Sequence, residues 1–180
     1  MPGNPSQISL GPGVLKVAAL GSTEPTDLVS AWAAAWVDLG YTFEGSEFSN
    51  ELNTANVEVA EELYPLAVVP TGIVTQVKFV LAQMTARNLQ LACNGGTILT
   101  GSGFVTFDPP PAGVPTRYMY GWQSDDSQER WIFRQCLNGG TATVARKKGA
   151  DKAGISFELN LEKPSGVQPF RVIFVDTRAS

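Results

Sequence analysis

Residues 71–96 read TGIVTQVKFVLAQMTARNLQLACNGG, and the reading of this run decides the fold class. As far as Ala82, a period of two puts Ile73, Thr75, Val77, Phe79 and Leu81 on one side. Val74, Gln76, Lys78, Val80 and Ala82 fall on the other. That alternation specifies a strand with one core face and one mixed face. Twelve extended residues span about 40 Å, roughly twice the common strand length. Thr85 then stands where a hydroxyl caps a helix by accepting a backbone N–H. Asn94, Gly95 and Gly96 supply the left-handed residues that end one. The short helix between them carries Leu89, Ala92 and Cys93 on the side predicted to lie against the sheet. Nothing in this unit is equipped for catalysis, so function is sought in assembly.

Upstream of this unit, residues 53–70 read NTANVEVAEELYPLAVVP, acidic and without clear period. They are expected to form a long loop between two strands, and loops of that length in compact domains usually bind something. Glu61 and Glu62 are adjacent carboxylates with no histidine or glycine-rich phosphate cradle beside them, which makes them solvated charges rather than an acid/base pair. Residues 41–52, YTFEGSEFSNEL, read as a strand region with a turn at Glu44, Gly45 and Ser46. Residues 28–39, LVSAWAAAWVDL, place Trp32 and Trp36 four apart among alanines and predict an amphipathic helix with buried indoles. Residues 14–20 read as a short strand, and residues 1–13, with three prolines and three glycines, as an extended N-terminal arm.

Downstream, a glycine-rich apolar stretch (97–106) and a rigid proline connector (108–113) lead to a hairpin. Its strands are 117–122 and 130–137, joined by a polar turn that carries Asp125 and Asp126. Residues 141–146 are expected as a strand, followed by the basic turn RKKGADK. Residues 155–162 alternate strictly, with Ile155, Phe157, Leu159 and Leu161 inward. Residues 170–175 are apolar on both faces, which predicts cover on both sides. The tetrapeptide NGGT occurs twice, beginning at Asn94 and at Asn138.

Composition narrows the function classes. The chain has 180 residues and no histidine, which removes the commonest general base and metal ligand. Cys93 and Cys136 are far apart, form no CxxC motif and read as free thiols. No catalytic, metal or cofactor-binding residue is nominated. The first residues lack the pattern of a signal peptide, and the longest apolar run is about twelve residues, too short to cross a bilayer; a soluble, non-secreted protein is expected. Between Lys16 and Lys78 there is no Lys or Arg, so residues 1–77 carry one cation and nine acids, a net charge of −8. Residues 78–180 carry twelve cations and eight acids, a net +4. Such a split suits a head-to-tail contact, acidic on one side and basic on the other.

The order of these features is familiar: DLGY at 38–41, an acidic stretch, a long strand opening on TG, and RNLQLACNGG at 87–96. A hairpin and the pair ISFELNLE and FRVIFVD, within 155–176, complete it. From about residue 14 to 176 the chain resembles the major tail tube proteins of long-tailed, non-contractile bacteriophages. The resemblance implies a mainly β, sandwich- or barrel-like domain over 14–180 with one short flanking helix. It further implies six-membered rings, stacked into a tube that assembles in the host cytoplasm and forms part of the virion tail. The partners implied are other copies of the chain, the tape-measure, tail-terminator and tail-tip proteins, and double-stranded DNA in non-specific passage, with no membrane. On this reading Glu58, Glu61 and Glu62 would meet Arg146, Lys147, Lys148 and Lys152 between rings, and Gln76 and Lys78 would face the lumen.

Other readings stay open at this stage. The tube protein of type VI secretion shares the core fold. A β-sandwich that binds carbohydrate or a cell surface would need Tyr118, Tyr120 and Trp122, which share one strand face, to stand exposed. An enzyme using carboxylates alone would need a paired acid and base, and no pair presents itself. The four basic residues of 146–152 would serve a nucleic-acid site only weakly in an acidic chain.

Overall fold

The structure, a computed structural model, describes residues 11–146 and 153–175. In chain order its elements are β1 (Gly13–Ala19), β2 (Val37–Asp38), β3 (Thr42–Val57), β4 (Ala67–Leu81), α1 (Ala86–Ala92), β5 (Thr97–Thr100) and β6 (Val105–Asp108). There follow β7 (Tyr118–Ser124), β8 (Glu129–Asn138), β9 (Val144–Ala145), β10 (Gly154–Leu161) and β11 (Phe170–Phe174). The fold is mostly strand with a single short helix among the described residues, and no sheet closes into a barrel there.

The main sheet runs β2-β1-β7-β8-β10-β4-β3. Its pivot is β8, one edge of which carries β7. The other edge is shared, with β11 along Glu129 to Phe133 and β10 from Cys136 to Asn138. Because β10 leaves β8 after so short a pairing, the β10-β4-β3 part folds over and faces the β1-β7-β8-β11 part. Leu15, Val17, Tyr120 and Phe133 meet Val77, Phe79, Leu81, Phe157 and Leu159 in one core, as in a sandwich. Aromatic contacts cross the gap, Phe79 to Tyr120 at 6.3 Å between ring centroids and Phe48 to Trp131 at 4.7 Å.

The decisive strand and helix form as the sequence predicts. Thr75, Val77, Phe79 and Leu81 are buried and Lys78 is exposed. The Thr85 hydroxyl accepts the Asn88 N–H at 3.1 Å and caps α1. Asn94, with φ of 54°, takes the left-handed position that ends the helix, and Gly95 and Gly96 follow with positive φ. The buried face of the helix differs from the expected Leu89, Ala92 and Cys93: Asn88, Leu91 and Ala92 turn inward, Leu89 packs at the core margin and Cys93 is only half-buried.

Several expectations need correction. Residues 28–39 form no helix. Asp27 Oδ1 accepts the N–H groups of Val29 and Ser30, a local turn that competes with helix formation. The buried Arg130 guanidinium then donates to the carbonyls of Asp27, Leu28 and Ser30, oxygens that a helix would use internally. Trp32 and Trp36 still touch, edge to face at 4.7 Å, and cover the outer face of β1-β7-β8 with Ala18, Met119 and Ile132. Gly121 makes room for them, since a Cβ there would stand 2.5 Å from the Trp32 ring.

Half of the stretch 53–70 is strand. Thr54 to Val57 pair with Pro70 to Ala67, so only residues 58–66 connect. The sequence hides this because a register shift, with Pro70 in it, breaks the alternation. Glu44, Gly45 and Ser46 likewise make a bulge inside β3 rather than a turn between strands. Ile73, assigned to the core by its period, is 66% exposed because β4 outruns the core. The strand expected over 141–146 is two residues long, and β11 is half-buried rather than covered on both sides. Of the N-terminal arm, residues 1–10 lie outside the described residues, and Gly13 already belongs to β1.

Candidate assembly surfaces

The feature that stands apart from the core is the β3–β4 hairpin. Strand β10 pairs with β4 only from Gln76 to Leu81. Among the described residues, 67–75 therefore have β3 alone as a neighbour, and β3 is the last strand of the sheet. The core ends at a polar pair, where the buried Thr75 hydroxyl donates to Asn50 Oδ1 at 2.7 Å. Two residues further out on the same face, Leu52 lies opposite Ile73. Leu52 is 55% exposed. Val57, Val68 and Val69 are exposed beyond them, and at the tip Leu63 and Tyr64 are almost wholly so. An apolar face that continues a core into solvent on a long open edge is a template for another chain.

The tip carries the three glutamates picked out above. Glu58, Glu61 and Glu62 are exposed in a connection closed by the Leu66 N–H donating to Val57 O at 2.8 Å. Arg146 is exposed just after β9, which lies beside the first residues of β10 and thus at the Leu81 end of β4. Lys147, Lys148 and Lys152 lie outside the described residues. The fold does not bring Arg146 to the tip glutamates within one chain. It sets the hairpin tip and Arg146 at opposite ends of β4, about 45 Å apart along a strand of that length.

The other face of the hairpin is mixed, with a polar network between the exposed Val74 and Val80. Gln76 Nε2 donates to Asn160 Oδ1 at 2.8 Å and to Glu158 Oε1 at 3.1 Å, and Lys78 Nζ lies 3.5 Å from Glu158. Glu47 stands across from Lys78 in β3. Gln76 is half-buried and Lys78 exposed, so the two share one face and one network. An open groove crosses the lower part of this face between Phe43, Glu47, Lys78, Val80 and Glu158.

Ion pairs brace the rest. Arg134 donates to Glu24 from Nε at 2.6 Å and from its terminal nitrogen at 2.9 Å, with Arg171 at 3.6 Å. Arg117 forks onto Glu162 at 2.6 and 3.0 Å, and Gln135 donates to the same carboxylate. The hydrogen bonds from Arg134 hold the Glu24 carboxyl below its ordinary pKa, and those from Arg117 and Gln135 do so for Glu162.

Among the described residues no group of three or more Cys, Asp or Glu could hold a metal ion. Burial pushes the Cys136 thiol far up, which removes its nucleophilic form. Both cysteines are free. Tyr118 and Tyr120 are buried and Trp122 packs on the core, so the aromatic face a glycan would need is internal. Sequence reasoning missed the strapping role of Arg130. Its one signal is an arginine set directly before the apolar run Trp131, Ile132 and Phe133, since a charge carried into a core strand needs buried partners.

A family model described as phage tail tube protein matches residues 1–144. No curated protein matches the chain.

Proposed function

Given that the chain belongs to the phage tail tube protein family, we propose that it polymerises through the β3–β4 hairpin into stacked rings of six, forming the tube of the virion tail. It is a structural protein and not an enzyme. The observation that carries the reading is the hairpin, whose core-facing side runs on past the Asn50–Thr75 pair as the exposed Leu52 and Ile73. A monomer gains nothing from such an extension, whereas a ring or stack of identical subunits buries it.

The ends of the subunit suit head-to-tail stacking. The acidic tip with Glu58, Glu61 and Glu62 is at one end of β4, and Arg146 is at the other. Copies stacked along that axis bring unlike charges together, with Lys147, Lys148 and Lys152 following Arg146 in sequence. The polar face of Gln76, Lys78, Glu158 and Asn160 is the lumen wall on this reading. With Glu47 across from Lys78, two glutamates face one lysine there, so the face does not hold passing double-stranded DNA. The domain spans residues 14–180, is assembled in the host cytoplasm, and works with tape-measure, tail-terminator and tail-tip proteins.

Negative-stain electron microscopy of the concentrated protein tests this. Rings or hollow tubes of uniform width are expected. Monomers that persist at every concentration, even with tail-tip components added, would contradict it.

A further inference from the structure

Only two asparagines in the chain precede glycine, Asn94 before Gly95 and Asn138 before Gly139. Asn-Gly is the dipeptide most prone to deamidation, because glycine has no side chain to obstruct attack by its own backbone nitrogen on the asparagine side-chain carbon. In this fold the reacting groups of both sites are engaged. The Gly95 N–H donates to Gln90 O at 2.8 Å, and the Gly139 N–H donates to Glu158 O at 2.9 Å. The Asn94 amide is held at both ends by Asn138, accepting from its N–H at 2.9 Å and donating to its carbonyl at 2.7 Å. The Asn138 amide donates to Ala92 O at 2.7 Å and accepts from the Glu158 N–H at 2.8 Å. The Asn138 backbone thus locks the Asn94 side chain, Ala92 and Glu158 lock that of Asn138, and together these bonds tie the end of α1 to β8 and β10.

We propose that Asn94 and Asn138 are deamidation sites kept silent by the fold, and that conversion in an opened chain prevents the lock from re-forming. In the step, the glycine nitrogen bonds to the asparagine Cγ and gives up its proton to solvent. The Cγ–Nδ2 bond breaks and Nδ2 leaves as ammonia, giving a succinimide. Water then opens either imide carbonyl to aspartate or isoaspartate, and no electrons are transferred. At position 94 the product has lost the donor that meets Asn138 O and sets oxygen against oxygen. At position 138 it has lost the donor to the buried end of α1. Isoaspartate also lengthens the main chain at Asn94, where φ is already positive. A chain that has opened for long is thereby marked and excluded from refolding, independently of how the subunit assembles.

The test incubates the full chain folded and urea-unfolded in one mildly alkaline buffer, with peptide mapping by mass spectrometry over time. Asn53 and Asn56, which precede threonine and valine, are internal controls. Conversion at both Asn-Gly sites is expected in urea, and slower by more than about tenfold in the folded chain, where it requires local opening. Equal rates in the two samples would overturn the proposal. On removal of urea, the share of chains failing to refold should track the share converted. Asn94→Asp and Asn138→Asp should each melt below wild type, and if both melt with wild type the claimed consequence is wrong.

Discussion

Asn94 and Asn138, the first residues of the two NGGT segments, form two hydrogen bonds with each other across 44 positions of sequence. The bonds join the end of the helix to the point where β8 hands over to β10. Asn138 is the more deeply committed partner, being 6% exposed with its amide spent on Ala92 and Glu158. Asn138→Ala should therefore destabilise the subunit by about 2 kcal/mol, since it leaves a buried carbonyl and a partly buried N–H without their side-chain partner. Urea unfolding of the purified monomer measures this.

Arg130 should prove equally structural. It is 2% exposed, gives its terminal nitrogens to three carbonyls and Gln123, and lies 4.9 Å from the centre of the Trp32 ring. Arg130→Ala removes all of this and should cost about 3 kcal/mol. Limited proteolysis should then cut within residues 27–36 faster than it does in the wild type.

Acid sensitivity follows from Glu24 and Glu162, whose folded pKa values lie below the ordinary carboxylate value. Depressed values mean that the stabilisation is complete above the unfolded pKa, near 4.5 for glutamate, and fades as pH falls through the lower folded values. Glu24→Gln and Glu162→Gln should each lower the melting temperature near neutral pH. Each should also flatten its fall between about pH 5 and 3. A melting profile parallel to that of the wild type in that range would refute the assignment.

These residues mark what the sequence could and could not disclose. The period of two from Thr75 to Leu81 and from Ile155 to Leu159 was plain, because one face of each strand is buried along its length. The capped helix was plain because Thr85 and Asn94 act locally. The Trp32–Trp36 segment misled, since its alanines favour a helix while its conformation is set by Arg130, about a hundred residues away. The distal hairpin misled for the opposite reason: with both faces exposed and a register shift near Pro70, it has no buried side to impose a period. The acidic tip was legible as composition, but its position opposite Arg146 needed the strand register.

Charge at the tip should matter to assembly and not to folding. Changing Glu58, Glu61 and Glu62 together to lysine should leave the melting temperature of the monomer unchanged, because all three are exposed. The same protein should form no long tubes under conditions where wild type does, as judged by sedimentation and electron microscopy. Tubes of normal length would remove the tip glutamates from the stacking contact.

The apolar extension of the hairpin makes a sharper case. Leu52→Asp with Ile73→Asp alters two exposed side chains, so monomer stability should shift by no more than about 0.5 kcal/mol. Polymerisation should nevertheless be lost, because the carboxylates would have to be buried unpaired against the next copy.

The most direct test of the whole account is a cryo-electron microscopy reconstruction of tubes assembled from the full chain. The account predicts that the β3–β4 hairpin lies between subunits, with Leu52 and Ile73 covered by a neighbouring copy and the Gln76–Lys78 face on the lumen. A tube in which the hairpin projects into solvent and both side chains stay exposed would contradict it.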